Sequence, residues 1–377
     1  MIFKKGELFS GPGGLSLGAK NASIIDPSTG VEWQIKHLWS NDYDPSACET
    51  YRLNICEDIK DKSVHCVPVE ELPIGDKTVM GDIDCFSFGF PCNDYSQVGE
   101  KHGLNGSFGP LYLYGVKVLK DYQPKFFVAE NVGGLQSANE GQAFIKILTD
   151  LEESGYKLTP HLYKFEEYGV PQARHRIIIV GIRNDLFEAG IEFKVPAPTA
   201  KSSTDYKTSY QAITKPPIPK DAPNHEMPKH TQKVKDMLSS IPEGQNAWYP
   251  GIPKHLQLNV KGARLSSIYK RLDSRRPAYT VTGSGGGGTH MYHWRESRAL
   301  TNREKARLQT FPDDFVFCGK REHVRKQIGM AVPPKGAQII FEAILKTFAG
   351  IKYDYVPPIP KLQLGNLGRG KKINISN

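Results

Sequence analysis

The sequence predicts an α/β protein, a mixed but mostly parallel sheet with helices on both faces, followed by a smaller loop-rich domain. Three observations carry that expectation. Short apolar or β-branched runs recur through the first half of the chain and end in glycine, proline or an acid, with stretches of helical spacing between them. From Pro196 onward prolines crowd the chain and the periodicity weakens. The 377 residues are enough for two domains.

The elements follow in order. A short apolar stretch from Glu7 runs into Phe9-Ser10-Gly11-Pro12-Gly13-Gly14-Leu15, a strand followed by a glycine turn. His37-Leu38-Trp39-Ser40 leads into the acidic Asn41-Asp42-Tyr43-Asp44. Ile83 to Phe88 reads as a strand ending at Gly89-Phe90-Pro91-Cys92, and Leu111 to Leu119 has helical spacing. Lys125 to Val128 is a buried-strand run ending at Glu130-Asn131; Phe144 to Leu151 reads as a helix and Arg176 to Gly181 as a β-branched strand. Arg303 to Gln309 and Pro334 to Phe348 are the last helices, and the polar, basic stretch from Lys361 is expected to fray. The expected division is 1–195 for the first domain, 196–297 for the second, 298–328 for a connection and 329–377 for a return to the first.

Composition excludes some classes. Hydrophobic residues make up 39% and charged residues 24%, ordinary for a globular protein. No apolar run approaches the ~20 residues that span a bilayer, and the N-terminus lacks a signal-peptide pattern, so a cytoplasmic protein without membrane contact is expected. Six cysteines without a C-x-x-C pair read as reduced thiols, with no disulfide framework and no metal site. Charge is unevenly placed. Between 196 and 300 sixteen Lys and Arg stand against seven Asp and Glu, which accounts for the whole net charge of +9. A basic segment on a neutral body suits a phosphate-binding domain, or a solvated basic surface.

Ligands of open α/β sheets sit at the carboxyl ends of strands, where the chemistry-bearing residues of this chain fall. The turn at Gly11 and Gly13 lets backbone approach a ligand closely. Asp42 reads either as an acceptor for ribose hydroxyls or as a helix cap before Pro45. Cys92 follows a proline that fixes the turn, which presents the thiol rather than packing it. The polar, glycine-rich stretch after it has the composition of a mobile lid. Glu130 is a candidate general acid. Arg174 and Arg176, two residues apart, would share one face of a strand, placed to hold an oxygen, order Glu130 or lower the thiol pKa.

Taken together, these segments resemble the DNA cytosine-5 methyltransferase family of the bacterial or phage modification type. The matching residues are Phe9-Ser-Gly-Pro-Gly-Gly14, Gly89-Phe-Pro-Cys92 with Ser96, Glu130-Asn-Val132, Gln172-Ala-Arg-His-Arg176, Arg276-Pro-Ala-Tyr-Thr-Val281, Leu300-Thr-Asn-Arg-Glu-Lys-Ala-Arg-Leu308 with Phe311-Pro312, and Gln327-Ile-Gly-Met-Ala-Val332. They span nearly the whole chain in the family's order. The unmatched proline-rich middle corresponds to the family's variable target-recognition domain.

The resemblance implies a Rossmann-like class I methyltransferase domain and S-adenosylmethionine as methyl donor, without a metal. The substrate would be a flipped-out cytosine in duplex DNA. Cys92 would add to carbon 6 and Glu130 would share a proton with ring nitrogen 3. Arg176, with Arg174, would hold the base oxygen and the carboxylate. Phe9, Gly11, Gly13 and Leu15 would line the cofactor pocket, with Asp42 on the ribose, Tyr43 and Leu111 beside the adenine, and Pro91 and Val332 on the far side. Asn93, Ser96 and Gln97 would close on DNA. A monomer is expected; a restriction endonuclease acting on the same site without direct contact is a candidate companion, with an orphan enzyme as the alternative. Two departures stand out: Met330 replaces the family's usual Asn, and Pro68 stands where an adenine-binding acid belongs, so that acid is left unassigned, with Asp58 as a candidate. A transfer-RNA methyltransferase and a catalytically inactive DNA-binding relative are the rival readings. The basic middle domain argues against the first, and the presence of Cys92, Glu130 and Arg176 against the second.

Overall fold

The elements, in chain order, are β1 (Ile2–Leu8), α1 (Gly14–Asn21), β2 (Ser23–Ile25), β3 (Glu32–Asp42), α2 (Pro45–Tyr51), β4 (Val64–Cys66), α3 (Lys77–Met80), β5 (Cys85–Gly89), α4 (Tyr112–Tyr122), β6 (Phe126–Val132), α5 (Gln142–Glu152) and β7 (Tyr156–Lys164). There follow β8 (Gln172–Ala173), β9 (His175–Arg183), α6 (Asn184–Glu188), β10 (Val195–Pro196), α7 (Ser209–Thr214), α8 (Gln232–Ser239), β11 (Ala278–Tyr279), α9 (Asn302–Leu308), α10 (Arg321–Met330), α11 (Pro334–Phe348) and β12 (Tyr355–Val356). This computed structural model describes residues 1–90, 111–134, 141–259, 265–283 and 287–359. No helix among them is long and apolar enough to cross a membrane.

The chain forms two compact units. The first comprises 1–164, 175–198 and 336–377, and the second 165–174 and 199–335. The region read from the sequence as a connection, 298–328, packs within the second unit.

An eight-stranded mixed sheet organises the first unit, in the order β2-β3-β1-β5-β6-β9-β7, with β4 on β3. Strands β4, β3, β1, β5 and β6 run parallel, so their carboxyl ends share one edge. The chain leaves β1 toward β3 on one side and returns to β5 on the other, which makes that edge a switch point. Antiparallel β9 and β7 close the far side, where Pro160 is tolerated because β7 is an edge strand. One face is an aromatic core of Trp39, Phe86, Phe88 and Phe127 beneath α4 and α5. Two glycines make this packing possible. A Cβ at Gly6 would lie 2.4 Å from Trp39, and one at Gly181 2.0 Å from Phe127.

The second unit has little regular ladder. Its longest pairing is β8 with β11, and its core gathers Met237, Leu238, Ile241, Ile252, Leu256 and Tyr292. Backbone carbonyls without ladder partners need other donors, and buried arginines supply them. Arg271 donates to the carbonyls of His293, Leu238 and Ile241, and Arg303 to those of Pro223, Pro312 and Phe315. Part of the basic excess read from the sequence is therefore interior scaffolding.

Candidate active site

The cofactor side is built where β1 meets α1. Phe9, at φ 55°, and Gly11, at φ 52°, turn the chain sharply after β1, and Gly13, at φ 91°, caps α1. A Cβ at Gly13 would press 2.9 Å against Ile55, whereas Gly11 faces open space. Asp42 ends β3 and holds this turn. One carboxylate oxygen accepts from the Gly11 N–H at 2.8 Å, the other from the Asp44 N–H at 2.9 Å. The cap of α2 is Asp44, which accepts from Ser46 and Ala47, so the capping role left open for Asp42 belongs to its neighbour. Leu15 is buried in α1, Tyr43 is exposed, and Leu111 is half-buried against the aromatic core. Val332 is buried in the second unit, and the Met330 side chain is exposed at the end of α10. Pro68 follows β4, while Asp58 lies in an exposed turn and accepts the Lys60 N–H, away from any strand end.

Beneath the turn lies a polar group that the sequence pattern did not signal. Lys5 and Glu7 are both about 1% exposed on the central strand. Their ion pair measures 2.8 Å, and Lys5 also donates to Ser87 of β5 at 3.0 Å. Glu7 accepts from the Ser16 hydroxyl in α1 and from Tyr51 of α2. A charged pair is tolerable here because neighbouring hydroxyls satisfy it. The network ties β1, β5, α1 and α2 together under the glycine turn. Tyr51 continues it to His37, whose other ring nitrogen lies 2.7 Å from the Ser63 hydroxyl. His37, Cys56 and Asp61 bring potential metal-ligand atoms within 4.8 Å of one another, and Ser63 also donates to Asp61.

The reactive side is built from β5, β6 and β9. Gly89 pairs with Glu130, and Val132 with Arg176. Glu130 and Arg176 are therefore diagonal neighbours on one face of the sheet. Arg176 Nε lies 2.9 Å from Glu130 Oε1, both side chains being only slightly exposed, at 14% and 12%. Asn131, fully inside, donates to the Phe90 carbonyl at 3.2 Å and so anchors the chain two residues before Cys92. Pro91, Cys92, Asn93, Ser96 and Gln97 lie outside the described residues.

The two arginines do not share a face. The backbone turns at Arg174, whose N–H bonds the Gln172 carbonyl, so β8 and β9 are separate strands. The buried Arg174 guanidinium donates to the carbonyls of Val281 and Gly329 at 3.0 Å within the second unit. It is Arg176 that pairs with Glu130.

A glycine turn with an acid at the next strand end, and a paired Glu and Arg beside the strand that leads to a cysteine, are what a group-transfer enzyme needs at the carboxyl edge of an open α/β sheet. The model of the C-5 cytosine-specific DNA methylases matches residues 3–346, and the chain belongs to that family. It is 62% identical over 359 residues to the type II methyltransferase M.BbvI of Brevibacillus brevis, covering 94% of this chain and 93% of the relative. M.NgoFVII of Neisseria gonorrhoeae, also a type II methyltransferase, is 42% identical, covering 91% and 86% respectively. Among solved structures, the Dnmt2 methyltransferase of S. pombe shares the fold, with a TM-score of 0.60 at 17% identity over 92% of this chain and 99% of that one. The family transfers a methyl group from S-adenosylmethionine to carbon 5 of cytosine in DNA.

Proposed function

We infer that this enzyme methylates carbon 5 of one cytosine in a short, specific duplex DNA sequence, with Cys92 as nucleophile. The observation that carries the reading is the Glu130–Arg176 pair beside β5, the strand from which the Cys92 segment departs. The residues at the β1–α1 turn suit the methyl donor. Among the described residues nothing lies within 4 Å of a Cβ at Gly11, and Asp42 puts a carboxylate, the acceptor that ribose hydroxyls need, at the end of β3 beside the Gly11 N–H. Phe9, Gly13, Leu15, Tyr43, Leu111, Pro91 and Val332 complete the proposed cofactor set. S-adenosylmethionine, when bound, supplies an electrophilic methyl group.

The protein's own part is base activation. The target leaves the stack because its reacting carbons are shielded within the duplex. The Cys92 thiolate adds to carbon 6 while Glu130 places a proton on ring nitrogen 3, so the electron pair of the 5,6 double bond moves to carbon 5. Arg176 holds the Glu130 carboxyl in position. After methylation the carbon-5 proton departs and Cys92 is expelled, which restores the ring. Arg174 acts by fixing backbone in the second unit. Asn93, Ser96 and Gln97 close on DNA, and the exposed lysines between 196 and 297 contact phosphates. The enzyme acts as a cytoplasmic monomer, and the type II names of its relatives support a companion endonuclease that recognises the same site.

The test is methyl transfer from labelled cofactor to unmethylated plasmid, mapped by bisulfite sequencing, together with trapping on a 5-fluorocytosine duplex. Modified cytosines in one context and a covalent adduct that Cys92→Ala abolishes are expected. Incorporation into transfer RNA alone would replace this reading with the RNA one.

A further inference from the structure

Helices α9 and α10 pack together in the second unit and bring cationic side chains within electrostatic reach of each other. Lys305 of α9 is only 4% exposed. Burial first, then the guanidiniums of Arg325 and Arg321 on α10, push its ammonium down to about 8. The nearby acid, Glu304, is already engaged. It accepts from Arg298 at 2.7 and 2.8 Å and from the Thr301 N–H at 2.8 Å. Among the described residues Lys305 forms no ion pair, and the buried Nε of Arg325 has no hydrogen-bond partner. Arg321 donates to the carbonyls of Glu226 and Met227. His290 lies within electrostatic reach of Lys305 and Arg325 and is held neutral, by burial first, so its ring offers a donor without adding charge.

The backbone alongside is unusually close. A Cβ at Gly283 would lie 2.8 Å from the Lys326 carbonyl, and one at Gly329 only 1.9 Å from the Gly283 nitrogen. Burying an ammonium among guanidiniums destabilises the free protein, and an aliphatic side chain would fill the same space without that cost. An anion is what would make the arrangement favourable.

We propose that Lys305, Arg325 and His290 form a binding site for a phosphate group, and that its occupant is a phosphodiester of the DNA backbone. Both cations of the site lie outside the basic window of 196–300, and the proposal rests on the reading above that the chain binds duplex DNA. A phosphodiester presents two free oxygens, one for the Lys305 ammonium and one for Arg325 Nε, and its charge offsets the local excess of cations.

Lys305→Met retains the bulk and removes the charge, and the test is binding of labelled duplex DNA across a salt series. The expected result is a plot of log affinity against log salt flatter by about 0.9, with binding roughly tenfold weaker. The thermal midpoint of the free variant should equal or exceed that of the parent, because an uncompensated buried charge has gone. Arg325→Gln should flatten the slope in the same way, which keeps the proposal testable should Lys305→Met fold poorly. An unchanged slope in both variants, with the parent's slope steep, overturns the site while leaving DNA binding intact; a parent with no salt dependence removes the DNA reading itself. If orthophosphate raises the parent's midpoint but not the variant's while the DNA slopes coincide, the occupant is a free anion and the DNA assignment falls.

Discussion

Replacing Asn131 with Asp tests whether the end of β6 holds the nucleophile's segment in register. The two side chains are nearly isosteric, so packing around this fully buried position is kept. The change swaps the Nδ2 donor, now 3.2 Å from the Phe90 carbonyl, for an oxygen that cannot donate when ionised. One hydrogen bond is lost and its acceptor is stranded against an oxygen, together costing about 2–4 kcal/mol. The chain can relieve this by letting the Phe90 carbonyl swing away, which displaces the start of the Cys92 segment. If half of the cost reaches the transition state, the rate of methyl transfer falls roughly tenfold. The acceptor at Asp42 and the turn at Gly11 belong to β3 and β1, so cofactor affinity should fall less than the rate, the loss being confined to the contact proposed for Pro91. Protonation restores a donor, so the variant's rate relative to the parent should recover as pH falls. Single-turnover methylation at saturating DNA, run across pH beside equilibrium cofactor binding, reads both quantities. A folded Asn131→Asp protein with the parent's single-turnover rate would refute the reasoning.

Three further outcomes follow from other parts of the molecule. Burial holds His37 and His161 at about 4, against 6.5 for an exposed histidine, so the unfolded chain gains protons first on acidification. Their contribution to stability is complete above 6.5 and is lost as pH falls toward 4. The thermal midpoint should drop between pH 7 and 5, and less steeply in His161→Gln; equal slopes would remove His161 from the account. Gly181→Ala places a methyl 2.0 Å from Phe127 in the closed aromatic core and should destabilise by about 1–3 kcal/mol, read as a lower urea midpoint at unchanged m-value. Gly13→Ala combines a left-handed φ with a contact of 2.9 Å to Ile55, so cofactor affinity should fall roughly tenfold in calorimetry, and unaltered affinity would separate the turn from the binding site.

The parts of this protein that were legible in its sequence share a physical cause. Strand ends carry glycine, proline or an acid because the chain must turn there, and ligands collect where it turns. That is why the β1 turn, Asp42 and Gly89 are legible as strand ends, whereas Glu130 lies two residues inside β6, which runs on to Val132. The three-residue strands β2 and β4 are too short to show a period. Strand β7 is hidden in the sequence because its alternation is interrupted by Pro160, which an edge position tolerates. Lys5 and Glu7 contradict the hydrophobic pattern of a central strand, and only Ser16, Ser87 and Tyr51, distant in sequence, make them compatible with burial.

The arginines show why residue type alone underdetermines role. Arg174 and Arg176 have the same chemistry and a strand-like spacing of two, yet one satisfies carbonyls inside the second unit while the other faces Glu130. The difference lies in the backbone. A loop-rich unit leaves carbonyls without ladder donors, and a guanidinium is the side chain that can satisfy several at once. A sheet satisfies its own carbonyls and leaves an arginine on its surface free to hold a carboxylate. Net charge therefore overstates the DNA-facing surface of the second unit wherever an arginine is turned inward, as at Arg271. The cations to test against DNA are those whose charge has no such internal use. By that criterion Lys305, buried within electrostatic reach of two guanidiniums and in no ion pair among the described residues, is a stronger candidate than many exposed lysines of the basic window, whose charge water already solvates.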